Sequence, residues 1–227
     1  MRRSPGAFKG FRRVWLEIMS RRARSRRDRY TSLLAYVGLA VATSSLPLVA
    51  AGAVGMLCFL RLGDPAELRP ASVMLGYGST LLVLGLFLAG LEREPIKTGD
   101  AVVATALIWV TVPVLAAVPF MLAAGIPFVD ALFEAVSGWT TTGLTILSGE
   151  PSSWGGVYVP RVEELPATLR VWRTAMQWVG GLGIVVFTVA FLARPGISAA
   201  VLYIAEGKLE RLEASLKRSA FKMGLLY

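Results

Sequence analysis

The sequence predicts an all-α membrane protein in which two N-terminal transmembrane helices precede a unit made of a helix, a half-helix with its loop, and a last helix. Three observations support this fold class. The chain of 227 residues is 55% hydrophobic and 17% charged, against about 45–50% and about 25% in soluble domains. The apolar residues form long runs without charge. A further apolar segment is too short to span and is followed by small polar residues.

Charged residues are absent from four runs that are long enough to cross a membrane. A bilayer core of about 30 Å requires about 20 helical residues. The charge-free runs cover residues 31–60, 71–91, 101–129 and 174–193. We therefore predict transmembrane helices over residues 31–60, 71–91, 101–123 and 169–193.

Basic residues are concentrated near the N-terminus. Residues 1–30 contain eleven Arg or Lys and two acids, and the rest of the chain is balanced in charge. A basic segment can bind nucleic acid, but beside a transmembrane helix it more commonly anchors the cytoplasmic face to anionic lipid. We expect the lipid bilayer as a partner and no nucleic acid. The charge pattern predicts a multi-pass protein of the cell inner (plasma) membrane with both termini in the cytoplasm.

The composition also argues against an enzyme. Histidine, the commonest general base and metal ligand, does not occur in the sequence, and Cys58 is the single cysteine. A disulfide within the chain and a metal-thiolate site are thereby excluded. The charge-free runs contain no paired carboxylates. We expect no cofactor and no catalytic residue.

The segment after the third predicted helix breaks the pattern of long spans. Gly125, Pro127 and Asp130 indicate a turn. Residues 131–139 predict a short helix with Asp130 as its N-cap. Such a helix would be about 14 Å long, roughly half of the hydrocarbon core, and could not span it. It is followed by Thr-Thr-Thr-Gly at residues 140–143.

This short helix and its loop predict a re-entrant pore helix and a filter. A dehydrated K⁺ ion needs a cage of oxygens, and a row of backbone carbonyls supplies one. Thr140, Thr141 and Thr142 are β-branched and favour an extended backbone, and Gly143 provides conformational freedom. The negative end of the helix dipole favours a nearby cation. Taken alone, the four residues are equally consistent with an ordinary extracellular loop.

Two blocks of sequence resemble a known family. The stretch DALFEAVSGWTTTGLTIL (130–147) and the stretch WRTAMQWVGGLGIVVFTVAFL (172–192) closely resemble the Trk/Ktr/HKT superfamily of potassium transporters, and its TrkH branch in particular. The resemblance extends over about residues 31–227, because the first two predicted helices are similar to the extra N-terminal pair of TrkH-like proteins. It implies potassium transport.

The resemblance implies roles for the residues of the loop. The backbone carbonyls of Thr140, Thr141, Thr142 and Gly143 would form one quarter of a selectivity filter, with K⁺ bound at Thr141 and Thr142. Family members with serine at the position of Gly143 tend towards Na⁺, so the glycine favours K⁺. A relative that conducts Na⁺ or mixed cations remains an alternative.

Filter support is assigned to Asp130, Glu134, Arg173 and Gln177, of which the last two match the start of the family's post-filter helix. Glu134 would either orient the filter by hydrogen bonding or lie at the interface, and we favour the structural bond because an unpartnered buried carboxylate is costly. Arg173 would either face the outer vestibule or extend to the interface. The glycine cluster of that helix, which we assign to close helix packing, comprises Gly180, Gly181 and Gly183.

The chain departs from the family in carrying one pore repeat where family members carry four. One filter segment cannot encircle an ion, so either four copies assemble or the chain is the N-terminal part of a split or truncated transporter. Further pore repeats are then expected from other copies or from a second chain. The resemblance also implies a cytosolic nucleotide-binding gating ring as a partner. A non-conducting membrane scaffold or assembly subunit is the alternative of a different class. The expected domains are a basic cytoplasmic arm (1–30), a transmembrane pair (31–98), a pore unit (99–193, with half-helix and filter at 130–144) and an amphipathic tail (194–227).

Overall fold

The computed structural model describes residues 5–91 and 98–192, and this part of the chain is mostly helical. The predicted tail at residues 194–227 lies outside the described residues. The helices and their bounds are α1 (Pro5–Leu62), α2 (Leu68–Ala89), α3 (Thr98–Ala124), α4 (Phe128–Trp139) and α5 (Ala167–Leu192).

Three helical stretches are long and apolar enough to cross a membrane, and they lie where the charge-free runs predict them. They are Arg27–Leu62, Pro65–Ala89 and Gly99–Ala124. The fourth predicted span corresponds to α5, whose 26 residues would reach about 39 Å at about 1.5 Å per residue. The all-α membrane fold predicted from the sequence is therefore confirmed.

The basic segment is not separated from the first span. Helix α1 begins at Pro5 and continues without a break to Leu62, so the described part of the predicted arm is a helical extension of the span. Near the end of the predicted arm, Arg29 pairs with Asp100 at the start of α3, and Arg29 Nη2 lies 2.5 Å from Asp100 Oδ1. The Arg29 side chain is 54% exposed, and an ion pair this exposed contributes at most about 1 kcal/mol.

The chain forms two compact units, and the helices α1, α2 and α3 each contribute to both. The first unit contains residues 1–45 and 80–112, and the second contains residues 46–79 and 113–227. In the first unit, glycine allows close helix contact, since a Cβ on Gly85 would lie 2.6 Å from the backbone nitrogen of Ala42. The candidate functional segment belongs to the second unit.

In the second unit, side chains of neighbouring helices satisfy the backbone of α3 near its prolines. Pro119 has no N–H, so the carbonyl of Leu115, four residues earlier, loses its helical partner. The Tyr77 hydroxyl of α2 donates to this carbonyl at 3.1 Å, and Trp172 Nε1 of α5 donates to the adjacent carbonyl of Ala116 at 3.4 Å. Backbone groups at membrane depth need such partners, because lipid supplies none.

Replacing Tyr77 by phenylalanine is expected to lower the free energy of unfolding by about 1–2 kcal/mol, since the part-buried Leu115 carbonyl would be left without a donor. Unfolding of the protein in detergent micelles would measure the change. The matched control is Tyr30→Phe, because the Tyr30 side chain is 62% exposed and its hydroxyl can bond to solvent. Equal stability of the two variants would contradict the proposed role of Tyr77.

The polar loop between α4 and α5 contains a small hairpin of strands β1 (Glu150–Pro151) and β2 (Tyr158–Val159), paired antiparallel. The Tyr158 hydroxyl donates to Glu164 Oε2 at 2.6 Å. This hydrogen bond is the main cause that raises the pKa of Tyr158 and lowers the pKa of Glu164. The Trp154 and Tyr158 side chains are mostly exposed.

Candidate filter segment

The half-helix α4 is longer at its start than the sequence predicts. It covers Phe128–Trp139, 12 residues, which corresponds to about 18 Å and is still well short of the roughly 30 Å core. Pro127 occupies the N-cap position without a side-chain cap bond. The prediction of Asp130 as N-cap is therefore wrong: Pro127 presets the entry into the helix, and Asp130 lies in the first turn. There its carboxylate is favourably placed near the positive end of the helix dipole.

The end of α4 is closed by a Schellman turn that uses the first residues of the predicted filter. The Thr142 amide donates to the Ser137 carbonyl at 3.1 Å, and the Thr141 amide donates to the Gly138 carbonyl at 3.1 Å. Thr140 is the helical C-cap residue with φ −85° and ψ −1°. These two hydrogen bonds are the pair that defines the Schellman motif. The first residues of the predicted filter thus cap the C-terminal end of α4.

Thr141 occupies the strained position of this turn. Its φ is +56°, and no other non-glycine residue of the described chain has a positive φ. The Schellman turn requires a left-handed residue, which is usually glycine, and a β-branched residue there is a genuine outlier that costs about 1–3 kcal/mol. The prediction of an extended backbone for the threonines is therefore wrong at Thr140 and Thr141. Helix termination overrides the local preference of β-branched residues.

The carbonyl oxygens of residues 140–143 are without hydrogen-bond donors from the described part of the chain. All four residues are exposed. The threonine hydroxyls are used locally: Thr140 Oγ1 donates to the Val136 carbonyl at 2.8 Å and lies 2.7 Å from Thr142 Oγ1. At Gly143, φ is +75°, and a Cβ there would meet no atom of the described part of the chain within 4 Å. Glycine is thus favoured at this position by the positive φ angle of the backbone and not by steric crowding around it.

The buried Glu134 carboxylate joins α4, the loop after it and α5. Its Oε1 accepts from Thr145 Oγ1 at 2.5 Å and from the Ile146 amide at 2.7 Å. Its Oε2 accepts from Arg173 Nε at 3.0 Å. Glu134 is 1% exposed, so both oxygens need these partners. We call Glu134, Thr145, Ile146 and Arg173 the Glu134 cluster.

The Glu134 cluster agrees with the structural bond favoured for Glu134 from the sequence. It also gives Arg173 a partner that neither of the two sequence interpretations included. Gln177, one helical turn after Arg173, is half-buried and makes no side-chain hydrogen bond to the described residues. Asp130 is buried, and its Oδ2 has no partner among them. The structure therefore brings Glu134 and Arg173 together and leaves Asp130 and Gln177 outside the cluster.

Sequence reasoning missed two further residues that hold the loop. Ser137 is buried and donates from Oγ to the Leu144 carbonyl at 2.6 Å. Thr145 binds Glu134 and also accepts at Oγ1 from the Leu147 amide at 3.1 Å. The spacing of polar residues in the sequence could have indicated Ser137, because residues three and four apart share a helix face. Asp130, Glu134 and Ser137 have this spacing, and all three are buried on α4.

The last helix approaches the end of α4 at a glycine. A Cβ on Gly180 would overlap the carbonyl oxygen of Trp139, so only glycine permits this distance. Gly138 of α4 makes a complementary contact, since a Cβ there would lie 3.1 Å from Met176 Cβ. These contacts agree with the packing role expected for Gly180. At Gly183 a Cβ would meet nothing within 4 Å, so close packing does not explain this glycine within the described residues.

Comparisons with known proteins identify the family that the chain resembles. The family model of the TrkH cation transport proteins matches residues 80–223. An uncharacterized cation transporter of Methanocaldococcus jannaschii is 37% identical over 125 residues, 55% of this chain and 24% of its own. The Trk system potassium uptake protein TrkH of Vibrio parahaemolyticus is 30% identical over 186 residues, 78% of this chain and 33% of its own.

A solved structure has a similar fold. The crystal structure of the potassium transporter TrkH from Vibrio parahaemolyticus superposes with a TM-score of 0.59 at 28% sequence identity, over 82% of this chain and 36% of that one. The chain thus spans about a quarter to a third of the length of these relatives. Since the family model matches more than half of the sequence, the chain belongs to the TrkH family of cation transport proteins.

Proposed function

We propose that this chain provides one wall of a potassium-selective filter and takes part in K⁺ transport across the membrane. The backbone carbonyls of Thr140, Thr141, Thr142 and Gly143 are the ion ligands, and K⁺ binds at Thr141 and Thr142. The curated relatives named as potassium uptake proteins support the choice of ion. K⁺ is the transported ion and not a cofactor, and no residue acts as an acid, base or nucleophile.

The observation that carries this proposal is the row of exposed carbonyls at the end of a helix too short to span. Exposed carbonyls without donors can replace the hydration shell of K⁺. The C-terminal end of α4 adds a partial negative charge of roughly half an elementary charge. Strain at Thr141 is of the kind that proteins retain at binding sites.

In the proposed function, the residues around the filter segment hold it in position. Glu134 and Arg173 hold the loop that follows the carbonyls through the Glu134 cluster. Asp130 strengthens the start of the half-helix, and Gln177 lies one turn beyond Arg173, where it is available to a neighbouring repeat. The α4 side chains that remain partly exposed and apolar in this chain are suited to such a neighbour; they are Phe128, Val129, Phe133 and Val136.

A complete filter needs three further repeats, which we assign to other copies of the chain or to a second chain. The pore unit comprises residues 99–193, with the half-helix and filter at 130–144 re-entering from one face. Residues 31–98 form the accompanying transmembrane pair. The arm at 1–30 and the tail at 194–227 lie in the cytoplasm, where anionic lipid and a cytosolic nucleotide-binding gating ring are the expected partners.

Growth of cells that lack potassium uptake, at low external K⁺, tests the proposal. The chain is expressed alone and together with a companion chain that carries three further pore repeats, and membrane levels are measured in parallel. We expect growth when four filter segments are present. Gly143→Ser is expected to lower the K⁺/Na⁺ uptake ratio, since relatives with serine at this position tend towards Na⁺. The strain of a left-handed serine, about 1–2 kcal/mol, is expected to lower the uptake of both ions.

The control for this variant is Gly143→Ala, which imposes the same backbone strain at φ +75° without a hydroxyl group. A difference between the two variants therefore reports the serine oxygen alone. Equal uptake of Na⁺ and K⁺ by the unaltered protein would favour a mixed-cation relative. Absence of transport at normal membrane levels, with four filter segments present, would contradict the proposal and favour a scaffold or assembly subunit.

A further inference from the structure

Helix α5 begins without a cap from its own sequence. The residue before it is Pro166, whose carbonyl accepts from the amides of Leu169 at 3.0 Å and Arg170 at 3.2 Å. Proline has no side-chain group that could accept from the first amides of the helix. The amides of Ala167 and Thr168 therefore need an acceptor from elsewhere, because the first N–H groups of a helix have no partner within it.

Glu67 supplies this acceptor from a distant part of the sequence. It lies in the short 3₁₀ turn Pro65–Glu67 between α1 and α2. Its Oε1 accepts from the Ala167 amide at 2.5 Å, and its Oε2 accepts from the Thr168 amide at 3.0 Å and from Thr168 Oγ1 at 2.5 Å. The carboxylate thus binds three donors at the positive end of α5, where a negative charge is favoured.

The surroundings of this contact leave little freedom of movement. Glu67 is 4% exposed and Thr168 is fully buried. A Cβ on Gly55 of α1 would overlap Thr168 Oγ1, so α1 packs directly on the start of α5. A buried carboxylate is costly unless its oxygens are bonded, and charge-assisted bonds are roughly twice as strong as neutral ones. The contact therefore holds the start of α5 in place.

The position of α5 matters because this helix carries Arg173. Arg173 lies five residues after Thr168, and its guanidinium binds Glu134. Glu134 in turn holds the Ile146 amide in the loop after the filter segment. We propose that Glu67 is a positioning residue for this loop: it caps α5 from the N-terminal helix pair and so sets Arg173 against Glu134. Its effect on ion selection rests on the function proposed above.

Amide hydrogen exchange of the full chain in lipid nanodiscs tests the proposal without requiring transport. In Glu67→Gln, the side-chain amide keeps one acceptor oxygen. Its NH₂ group, a donor, replaces the other oxygen and faces the N–H groups of α5. We expect the Thr168 amide to exchange at least about tenfold faster, as for loss of a charge-assisted bond. The Ile146 amide, which does not contact Glu67, is expected to exchange about threefold faster through the displaced Arg173.

Glu163→Gln is the matched control, because it removes the same charge from an exposed residue near α5 and should change neither amide. Thr168→Val removes only the hydroxyl donor and should change both amides in the same direction by less. This second variant keeps the test valid if Glu67→Gln fails to fold. An unchanged exchange rate of the Thr168 amide would show that Glu67 does not cap α5. Faster exchange confined to the start of α5, with Ile146 unchanged, would overturn the positioning role.

Transport by the complete assembly gives the independent functional measurement. We expect Glu67→Gln to lower the K⁺/Na⁺ uptake ratio about threefold at unchanged membrane abundance. A merely structural role would lower abundance and leave the ratio intact, which would overturn the proposal. If the unaltered protein selects no K⁺, the proposed function fails, while the exchange measurements still decide whether Glu67 positions the loop.

Discussion

Replacing Glu134 by leucine is expected to lower the free energy of unfolding by about 3–5 kcal/mol, the usual result of removing one partner of a buried ion pair. Leucine has a similar volume, so lost packing contributes little. The variant would leave the half-buried Arg173 guanidinium and the Ile146 amide without their acceptor. Reversible unfolding in detergent micelles would measure the stability, and amide exchange at Ile146 would report release of the loop.

A double-mutant cycle distinguishes a true pair from two independent effects. Because Glu134→Leu with Arg173→Leu removes both charges, we expect the double variant to be more stable than the sum of the single losses predicts, by about 1–3 kcal/mol. The matched control on the same helix face is Asp130→Asn, since Asp130 Oδ2 is buried without a described partner. Asp130→Asn is expected to lower the free energy of unfolding by less than about 1 kcal/mol. Strict additivity in the cycle would contradict the Glu134 cluster.

The long helices could be predicted from the sequence because one strong physical requirement governs them. A span needs about 20 residues without charge, and this demand overrides local preferences over the whole run. The predicted helix over 71–91 and the observed α2 at Leu68–Ala89 differ by only a few residues for this reason. The ends depend on caps and turns that involve few atoms, and sequence patterns locate them less well.

The half-helix could be predicted, but the conformation of the segment after it could not. Its short length followed from the turn at Pro127 and the polar residues after Trp139. Local preference predicts an extended Thr141, whereas the structure has φ +56°. The Schellman turn that closes α4 determines this angle, and its hydrogen bonds arise only once the helix is formed. A residue-by-residue propensity contains no information about that cooperative geometry.

The contacts that hold the site were the least predictable from sequence. Glu67 and Thr168 are separated by 101 residues, and nothing in either local sequence indicates the other. Glu134 was a candidate because a charged residue in an apolar half-helix needs a partner. Its partners Thr145 and Arg173 become evident only when α4 and α5 are packed together. In this chain, burial and spacing predict which polar residues matter, and packing determines what they bind.

Substitution of Gly180 by alanine is the second change for which we expect a large effect. The added Cβ would overlap the Trp139 carbonyl oxygen, which cannot rotate away because it is part of the backbone at the end of α4. Overpacking of this kind costs about 1–3 kcal/mol. The end of α4 must shift to relieve the overlap, so we also expect faster amide exchange at Thr142, whose bond to Ser137 closes that helix.

Gly183→Ala separates this steric effect from the general effect of replacing glycine in a helix. Alanine is favoured over glycine by about 1 kcal/mol in a helix interior, and a Cβ at Gly183 meets none of the described residues within 4 Å. Gly183→Ala should therefore be neutral or stabilising, while Gly180→Ala destabilises despite the same gain in propensity. If both variants were equally stable, α5 could not approach α4 as closely as the structure has it. The segment after α4 would then have to be held by the Glu134 cluster and by the hydrogen bond from Ser137 to the Leu144 carbonyl.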